Sequence, residues 1–350
     1  MKKHFIFYIH SVAGLVSGIF ILLMSLSGAV LVFHQDLDQL QNPVIENVSD
    51  SYSVDKSYIA LQQQYPKAQI SNCVLPEGVI NTIGFTIYDS SYKNGQVALK
   101  VFQHPQTTSI LKISGGDTGL TNWLSKFHNS FHLGKTGEWL LGFFALIFLV
   151  SILTGIILFR KSILSVLLFR KTVIRKNNLH QIIGVYALFF NLMIAVTGFW
   201  MQRYVFKKEF YAADNYTPVL KISRALPFKF DSAFSEIKKQ YPDFTAHVIY
   251  FAQSNNGKTA IYGSRASNAY IHSKKMADVI FLDSTGHIAK KRFINEISAD
   301  DLYDIINSQL HMGRFGGTGI KIIYFVFGLS GGLLSITGFL LWNRRRKDKK

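Results

Sequence analysis

The sequence predicts a membrane α-helical protein in which four transmembrane helices form two parallel repeats, each with a small α+β domain inserted outside the membrane. Three observations predict this fold class: four long apolar runs without charge, basic residues concentrated in three short segments, and an internal repeat. The 350-residue chain is 48% hydrophobic with a mean hydropathy of +0.18. These values suit a protein that is partly embedded in a bilayer.

Each apolar run is long enough to cross the hydrocarbon core of a bilayer, which takes about 20 helical residues. The runs contain no Asp, Glu, Lys or Arg and cover residues 5–33, 139–159, 182–202 and 322–342. The first run is longer than the apolar part of a cleaved signal peptide, about 7–15 residues. We therefore predict that it is an uncleaved helix in contact with the lipid bilayer.

Lys and Arg cluster in the N-terminus, in the short connection after the second run, and in the tail NRRRKDKK. Short basic segments stay on the cytoplasmic side of a membrane. Both termini are therefore predicted to be cytoplasmic, with the two long connections outside. This topology accounts for most of the formal net charge of +17, so no nucleic-acid partner is predicted.

The chain divides into eight predicted segments. They are helix one (1–34), the first periplasmic domain (35–127), helix two with an interfacial segment before it (128–160), a cytoplasmic loop (161–179), helix three (180–202), the second periplasmic domain (203–310), helix four with its own interfacial segment (311–343) and the basic tail (344–350). In both outer domains an amphipathic helix, SYIALQQQYP or SAFSEIKKQYP, precedes runs of alternating hydrophobicity. Each domain is therefore predicted as a helix packed on its own short antiparallel sheet.

The first and third helices repeat each other. His10 in HSVAGLVSGIFILLMSLSG aligns with His180 in HQIIGVYALFFNLMIAVTG. In the same alignment Ser27-Gly28 falls on Thr197-Gly198. Because both halves enter from the cytoplasm, the repeats are parallel, and equivalent residues are expected to face one another across an axis along the membrane normal.

The second and fourth helices also repeat each other. Thr154-Gly155 aligns with Thr337-Gly338, and His128 aligns with His311. His132 falls on a phenylalanine and therefore has no counterpart.

Two symmetry-related pairs, His10 with His180 and His128 with His311, are thus expected at opposite membrane faces. Two imidazoles can bind one haem iron from opposite sides, so the pairs predict two haems and an electron route across the bilayer. His132 and His34 are alternative ligands. The alternatives at each position are a histidine that only hydrogen-bonds a neighbouring helix, or a four-histidine metal-ion site on the outer face.

Cations near the histidines could bind haem propionates. Arg314 is the candidate on the outer side, and Lys2, Lys3, Arg175 and Lys176 are the candidates on the cytoplasmic side.

The motifs H-x3-G…SG-x4-F-H, FHNSFHLGKTGEW and LHMGRFGG…ITGFLLWNRRR resemble the PepSY-associated transmembrane family over essentially the whole chain. The resemblance implies PepSY-like periplasmic domains. It also implies kinship with inner-membrane ferrisiderophore reductases, which carry b-type haem on histidines and serve iron uptake. On this resemblance the haem ligands are His10, His180, His128 and His311.

The function predicted first is a di-haem b-type oxidoreductase that reduces a ferric siderophore or other ferric chelate in the periplasm and releases Fe(II). The chain has no nucleotide or flavin motif, so its electron donor would be a quinol or a cytoplasmic reductant. The alternatives are a non-enzymatic PepSY membrane module that binds a protein partner or restrains a peptidase, and a histidine-based metal-binding or transport protein.

Overall fold

The computed structural model describes most of the chain and divides it into two compact units. The described residues are 3–40, 43–45, 51–77, 81–89, 97–115, 119–168, 178–207, 209–210, 228–252, 257–267 and 269–348. The helical unit comprises Met1–His34, Leu124–Asn215 and Ile306–Lys350, and the sheet unit comprises Gln35–Trp123 and Tyr216–Ile305.

The helical unit is built on three helices that are long and apolar enough to cross a membrane. They are α1 (Lys3–Leu31), α5 (Gly134–Leu167) and α10 (Gly317–Lys347). Helix α5 continues beyond the apolar run that ends at 159, and α10 continues through the first four basic residues of the tail. The chain is therefore a multi-pass membrane protein by the length and composition of its helices.

The third predicted helix is broken. It consists of α6 (Leu179–Tyr186) and α7 (Leu188–Gln202), which leads into a 3-10 turn, and the two parts are bent by 65°. The carbonyl of Ala187, at the break, accepts from both the backbone N and the side-chain Nδ2 of Asn191, at 2.8 and 3.0 Å. A side chain that bonds a helix carbonyl can bend the helix. If this bent pair counts as one span, the described part of the chain has four candidate membrane spans.

Helix α1 packs closely on α10 through small residues. The Ser25 hydroxyl donates to the carbonyl of Gly328 at 2.6 Å and accepts from the backbone N of Gly332 at 2.8 Å. A Cβ atom on Gly331 would lie 2.8 Å from the same hydroxyl. The glycines of α10 therefore allow a close approach of the two backbones, which is typical of helix pairs in membranes.

Shorter helices and eight strands complete the chain. The helices are α2 (His34–Gln39), α3 (Val54–Gln64), α4 (Leu120–Ser130), α8 (Phe230–Gln240) and α9 (Ala299–Met312). The strands are β1 (Ala68–Val74), β2 (Ile83–Asp89), β3 (Val97–Gln103), β4 (Ile110–Gly115), β5 (Thr245–Tyr250), β6 (Thr259–Ser264), β7 (Asp278–Leu282) and β8 (Ile288–Arg292).

The strands form one antiparallel sheet in the order β4-β3-β2-β1-β5-β6-β7-β8. The two inserted segments were predicted to form separate sheets, and the structure joins them through β1 and β5. The joining pairs are Asn72 with Tyr250, Cys73 with Ile249 and Val74 with Val248. An exposed strand edge tends to pair with another strand, and here each half covers one edge of the other.

One face of the sheet packs on α3 and α8 to form a core that draws on both inserted segments. Leu61 and Phe230 from the helices, and Ile87, Ile249 and Ile261 from the strands, are 0% exposed. The sheet unit therefore has a single hydrophobic core rather than one for each repeat.

Candidate functional site

The structure brings four of the sequence-predicted histidines together as two pairs. His10 on α1 lies beside His180 on α6, with ring centroids 6.2 Å apart. His128 on α4 lies beside His311 on α9, with ring centroids 6.4 Å apart. Two imidazoles that bind one metal ion from opposite sides, each through a metal–nitrogen bond of about 2.0 Å, have ring centroids roughly 6 Å apart. Both pairs have the spacing that such a shared metal requires.

Each of the four imidazoles hydrogen-bonds through Nδ1 to a Ser or Thr hydroxyl on another helix. The bonds are His10 to Thr154 at 3.2 Å, His180 to Thr337 at 3.0 Å, His128 to Ser27 at 2.9 Å and His311 to Thr197 at 3.0 Å. In all four cases Nε2 is the nitrogen left for the other member of the pair or for a ligand between them.

The hydroxyls also fix which ring nitrogen carries the proton. Each hydroxyl donates to the carbonyl four residues before it: Ser27 to Leu23, Thr154 to Val150, Thr197 to Met193 and Thr337 to Leu333, at 2.7–2.8 Å. Because its proton is used there, the hydroxyl accepts from Nδ1–H of the histidine. His10 shows this independently, since its Nδ1 also lies 2.9 Å from the carbonyl oxygen of Ser151, which can only accept. The lone pair of each imidazole is therefore on Nε2, as metal binding requires.

A glycine follows each of these hydroxyl residues and leaves room for the ring. A Cβ atom at Gly155, Gly338, Gly28 or Gly198 would lie 3.0–3.3 Å from Cε1 of His10, His180, His128 or His311, respectively. We call each hydroxyl and its following glycine a hydroxyl–glycine pair. Every histidine of the two pairs is held by one of them.

His128 and His311 lie in helices outside the candidate spans, and both are partly buried. Burial and the neighbouring His311 lower the pKa of His128 to about 4, and burial lowers the pKa of His311 to about 4. Both side chains are therefore neutral at pH 7, which is the form of imidazole that binds metals.

The His10–His180 pair lines a cavity of about 850 Å³. Glycines on four helices contribute to its wall, namely Gly14, Gly155, Gly184 and Gly338. Arg345 and Arg346 also line it. The volume lies within the range of about 300–1,000 Å³ typical of cofactor and ligand pockets, and the two guanidinium groups suit carboxylates on such a group.

The cations predicted from the sequence on this side are placed differently. Lys3 does not line the cavity, and Lys2, Arg175 and Lys176 lie outside the described residues.

The remaining sequence-predicted site residues stand apart from the pairs. His34 donates from Nδ1–H to the carbonyl of Leu31 at 3.0 Å, and its Nε2 accepts from the guanidinium of Arg314 at 3.2 Å. His132 is exposed in the turn between α4 and α5, with its ring centroid 6.2 Å from that of Phe127.

The four-histidine metal-ion site that was considered for His34, His128, His132 and His311 is not formed. Within the part of the chain that the structure describes, no group of three or more His, Cys, Asp or Glu side chains could hold a metal ion. His128 and His311 meet as a pair, and each of these two rings also contacts a hydroxyl and a glycine on another helix.

The sequence interpretation missed the role of the hydroxyl residues. It found Ser27 and Thr197, and Thr154 and Thr337, as repeat positions, but gave them no partner. The available signal was that each of the four apolar runs contains a Ser-Gly or Thr-Gly dipeptide at a position that the internal repeat conserves, although the first and fourth runs also contain a second one, Ser17-Gly18 and Ser330-Gly331.

Comparison with known proteins gives one clear relationship. No curated protein matches the sequence. The family model described as the PepSY-associated TM region matches residues 7–345, which is nearly the whole chain. With apolar helices that can cross a membrane and an α+β sheet unit inserted between them, the chain belongs to the PepSY-associated TM family.

Proposed function

We propose that the protein is a di-haem b-type oxidoreductase of the bacterial inner membrane. It passes electrons across the membrane and reduces a periplasmic ferric chelate, of the ferrisiderophore class, so that iron leaves as Fe(II). In this proposal four transmembrane helices form two parallel repeats, both termini are cytoplasmic, and the inserted segments are periplasmic PepSY-like domains.

The observation that carries the proposal is that the two histidine pairs share the same ring spacing and the same hydrogen-bond pattern. Their ring centroids lie 6.2 and 6.4 Å apart, and the four Nδ1 atoms are bonded to hydroxyls, which leaves the Nε2 atoms free. A histidine that only joins two helices needs neither a second histidine opposite it nor a glycine beneath its ring. A bare zinc ion would require three or four ligands, and each site offers two.

Haem b fits these residues better than a bare ion. The imidazoles of His10 and His180 would hold one haem, and those of His128 and His311 would hold a second. Arg345 and Arg346 would contact propionates at the first site, and Arg314 would do so at the second. When bound, haem supplies a one-electron carrier whose potential depends on its ligands and their hydrogen bonds.

The chain itself orients the imidazoles and holds their protons on Nδ1. Apolar helices surround the pairs, and in this proposal the transmembrane spans separate the two sites along the membrane normal. Reducing one iron(III) to iron(II) consumes one electron, which a separate donor, a quinol or a cytoplasmic reductant, must supply.

The experiment is haem quantification with dithionite-reduced minus oxidised spectra of the full chain purified in detergent. We expect two b-type haems per chain, and one in either His10→Ala or His311→Ala. His132→Ala is the matched control because this histidine is exposed and outside the pairs, and it should retain both haems. Rapid reoxidation of the reduced protein by a ferric chelate would support the reductase activity.

Protein that lacks haem after expression with ample haem supply would overturn the proposal. The non-enzymatic membrane module would then be the better reading of the fold. If the protein contains two haems but no ferric chelate reoxidises it, the proposed electron transfer across the membrane is retained and the proposed substrate is rejected.

A further inference from the structure

The face of the sheet opposite α3 and α8 has an unusual composition. Residues that alternate with the core positions along the strands point to this face. Its aromatic and basic members, which define the aromatic–basic face, are Tyr88, Lys100, Phe102, Lys112, Tyr250, Tyr262, Phe281, Lys290 and Arg292.

The two repeats build this face in the same way. Phe102 on β3 pairs with Lys112 on the edge strand β4, and Phe281 on β7 pairs with Lys290 on the edge strand β8. In each half, therefore, an aromatic ring is followed towards the edge by a lysine.

Tyr250 is exposed, and the other aromatic side chains of this face are half-buried. Near the centre of the sheet the rings of Tyr250 and Tyr262 meet edge to face, with centroids 5.5 Å apart, and Tyr250 is 41% exposed. The ring of Phe102 lies over Gly84, where a Cβ atom would be 3.4 Å from it. The rings thus cover backbone and leave their outer surfaces partly exposed.

The charge of this face is positive. Among the described residues, Lys100 and Lys290 form no ion pair, and the buried Nε of Arg292 has no hydrogen-bond partner. Asp278 is the acidic residue whose side chain the structure describes within the strands. Its carboxylate accepts from the backbone N of Arg265 and of Ile294, at 2.7 Å each.

The acid that follows β1 is paired with a cation. Glu77, just beyond β1, lies 2.9 Å from the ammonium of Lys275 and 3.0 Å from Nδ1 of His247. Cations without carboxylate partners attract anions, and exposed rings favour aromatic and cationic contacts.

We propose that the aromatic–basic face binds an anionic iron(III) chelate that carries aromatic rings. This inference rests on the proposed function, since it names the substrate class of the same reductase. Lys100, Lys290 and Arg292 attract the negative charge of the complex, while Phe102, Tyr250 and Tyr262 pack against its rings. A cationic hydroxamate complex of similar size meets like charge on this face and binds weakly.

The experiment measures binding separately from reduction by using redox-inert gallium(III) in place of iron(III). Titration calorimetry on the full chain in detergent would compare an anionic gallium(III) tris-catecholate with a gallium(III) trihydroxamate that carries a free ammonium group. We expect the tris-catecholate to bind at least on the order of tenfold more tightly. Its Kd should rise with added salt, because charge attraction at a surface is screened.

The variant Lys100→Gln with Lys290→Gln should weaken tris-catecholate binding on the order of tenfold. Lys238→Gln with Lys239→Gln is the matched control, because these exposed lysines lie on α8, on the other side of the sheet, and it should leave the Kd unchanged. Tyr250→Leu tests the aromatic contribution and should weaken binding of the same complex.

Equal affinity for the two gallium complexes, or an unchanged Kd in the Lys100→Gln and Lys290→Gln variant, would overturn the inference. The binding result does not depend on haem. If the binding test fails in protein that contains two haems, the reductase proposal therefore still stands. If protein without haem binds the anionic complex selectively, the binding role of this face is supported and the reductase proposal is rejected.

Discussion

At the residue scale, one hydroxyl and one glycine control each imidazole of the two pairs. The hydroxyl keeps the proton on Nδ1, and the glycine lets the ring lie against its helix. Because the same combination recurs at His10, His180, His128 and His311, its effect can be tested at one position and compared with the others.

Removing one hydroxyl should change the ligand strength of its histidine. In Thr197→Val the Nδ1–H of His311 loses its hydroxyl acceptor and retains a backbone bond with Ile194, so the imidazole becomes a weaker donor to iron. We expect the midpoint potential of the haem held by His128 and His311 to rise, while Thr197→Ser retains the wild-type value. A redox titration followed by absorbance measures both, and equal shifts in the two variants would contradict a role for the hydrogen bond.

Adding one methyl group beneath a histidine should displace its ring. In Gly198→Ala the new Cβ would lie 3.0 Å from Cε1 of His311, closer than ordinary contact. We expect haem content to fall from two towards one per chain. Gly319→Ala is the control, since nothing lies within 4 Å of its Cβ position. Full haem content in both variants would show that the ring has room to move.

The sequence predicted these histidine pairs because identical residues recur at equivalent positions. It could not predict the hydroxyl contacts. The hydroxyl of a Ser or Thr in a helix often donates to the backbone carbonyl of the residue four positions earlier in the same helix, as Ser27 and Thr197 do here. A second bond depends on which helix packs alongside, and that information is tertiary.

At the element scale, α3 and α8 cap each other. Asp231 accepts from the backbone N of Val54 at 2.9 Å and from the Ser53 hydroxyl at the start of α3. Asp55 accepts from the backbone N of Phe230 at 2.8 Å and of Asp231 at 3.0 Å at the start of α8. The exchange satisfies amide groups that a helix N-terminus leaves without intrahelical partners, and it ties the two repeats together.

Asp231→Ala should therefore destabilise the sheet unit by about 1–2 kcal/mol, the usual cost of a lost N-terminal cap. Asp231→Asn keeps one carbonyl oxygen as an acceptor and should lose less. Chemical denaturation of the detergent-solubilised protein, followed by tryptophan fluorescence, measures the free energy of unfolding. Equal losses in the two variants would indicate that the carboxylate charge matters more than the number of acceptors.

The long apolar elements were predictable from hydropathy, whereas the break in the third one was not. Alanine favours helix, so Ala187 gave no sign of a bend. One helical turn after the break, the Asn191 side chain donates to both the carbonyl of Ala187 and the hydroxyl of Ser330 on α10. A polar residue in an apolar run signals a tertiary contact, but its partner cannot be read from one segment.

At the scale of the whole molecule, the internal repeat is used differently in the two units. In the helical unit the halves meet through paired histidines. In the sheet unit they meet where β1 and β5 pair around Cys73 and Ile249, with equivalent pairs on either side. The sequence predicted two small domains because each segment has its own helix and strands, but strand pairing between segments leaves no local signal.

One shared core predicts that the two inserted segments unfold together. Phe230 belongs to the second segment, is 0% exposed, and contacts Phe251 with ring centroids 5.3 Å apart. Truncating such a side chain to alanine costs about 3–5 kcal/mol. If the sheet unit unfolds as a single cooperative unit, this loss of unfolding free energy accelerates exchange at every amide that exchanges by global opening.

In Phe230→Ala, hydrogen exchange followed by mass spectrometry should therefore accelerate by the same factor in β2 and β3 of the first segment as in β6 and β7 of the second. Tyr270→Ala, which removes a side chain that is 94% exposed, should change neither. Faster exchange confined to β6 and β7 would mean that the halves open independently. The β1–β5 pairing would then join two separately folded domains, because a shared core cannot lose stability on one side alone.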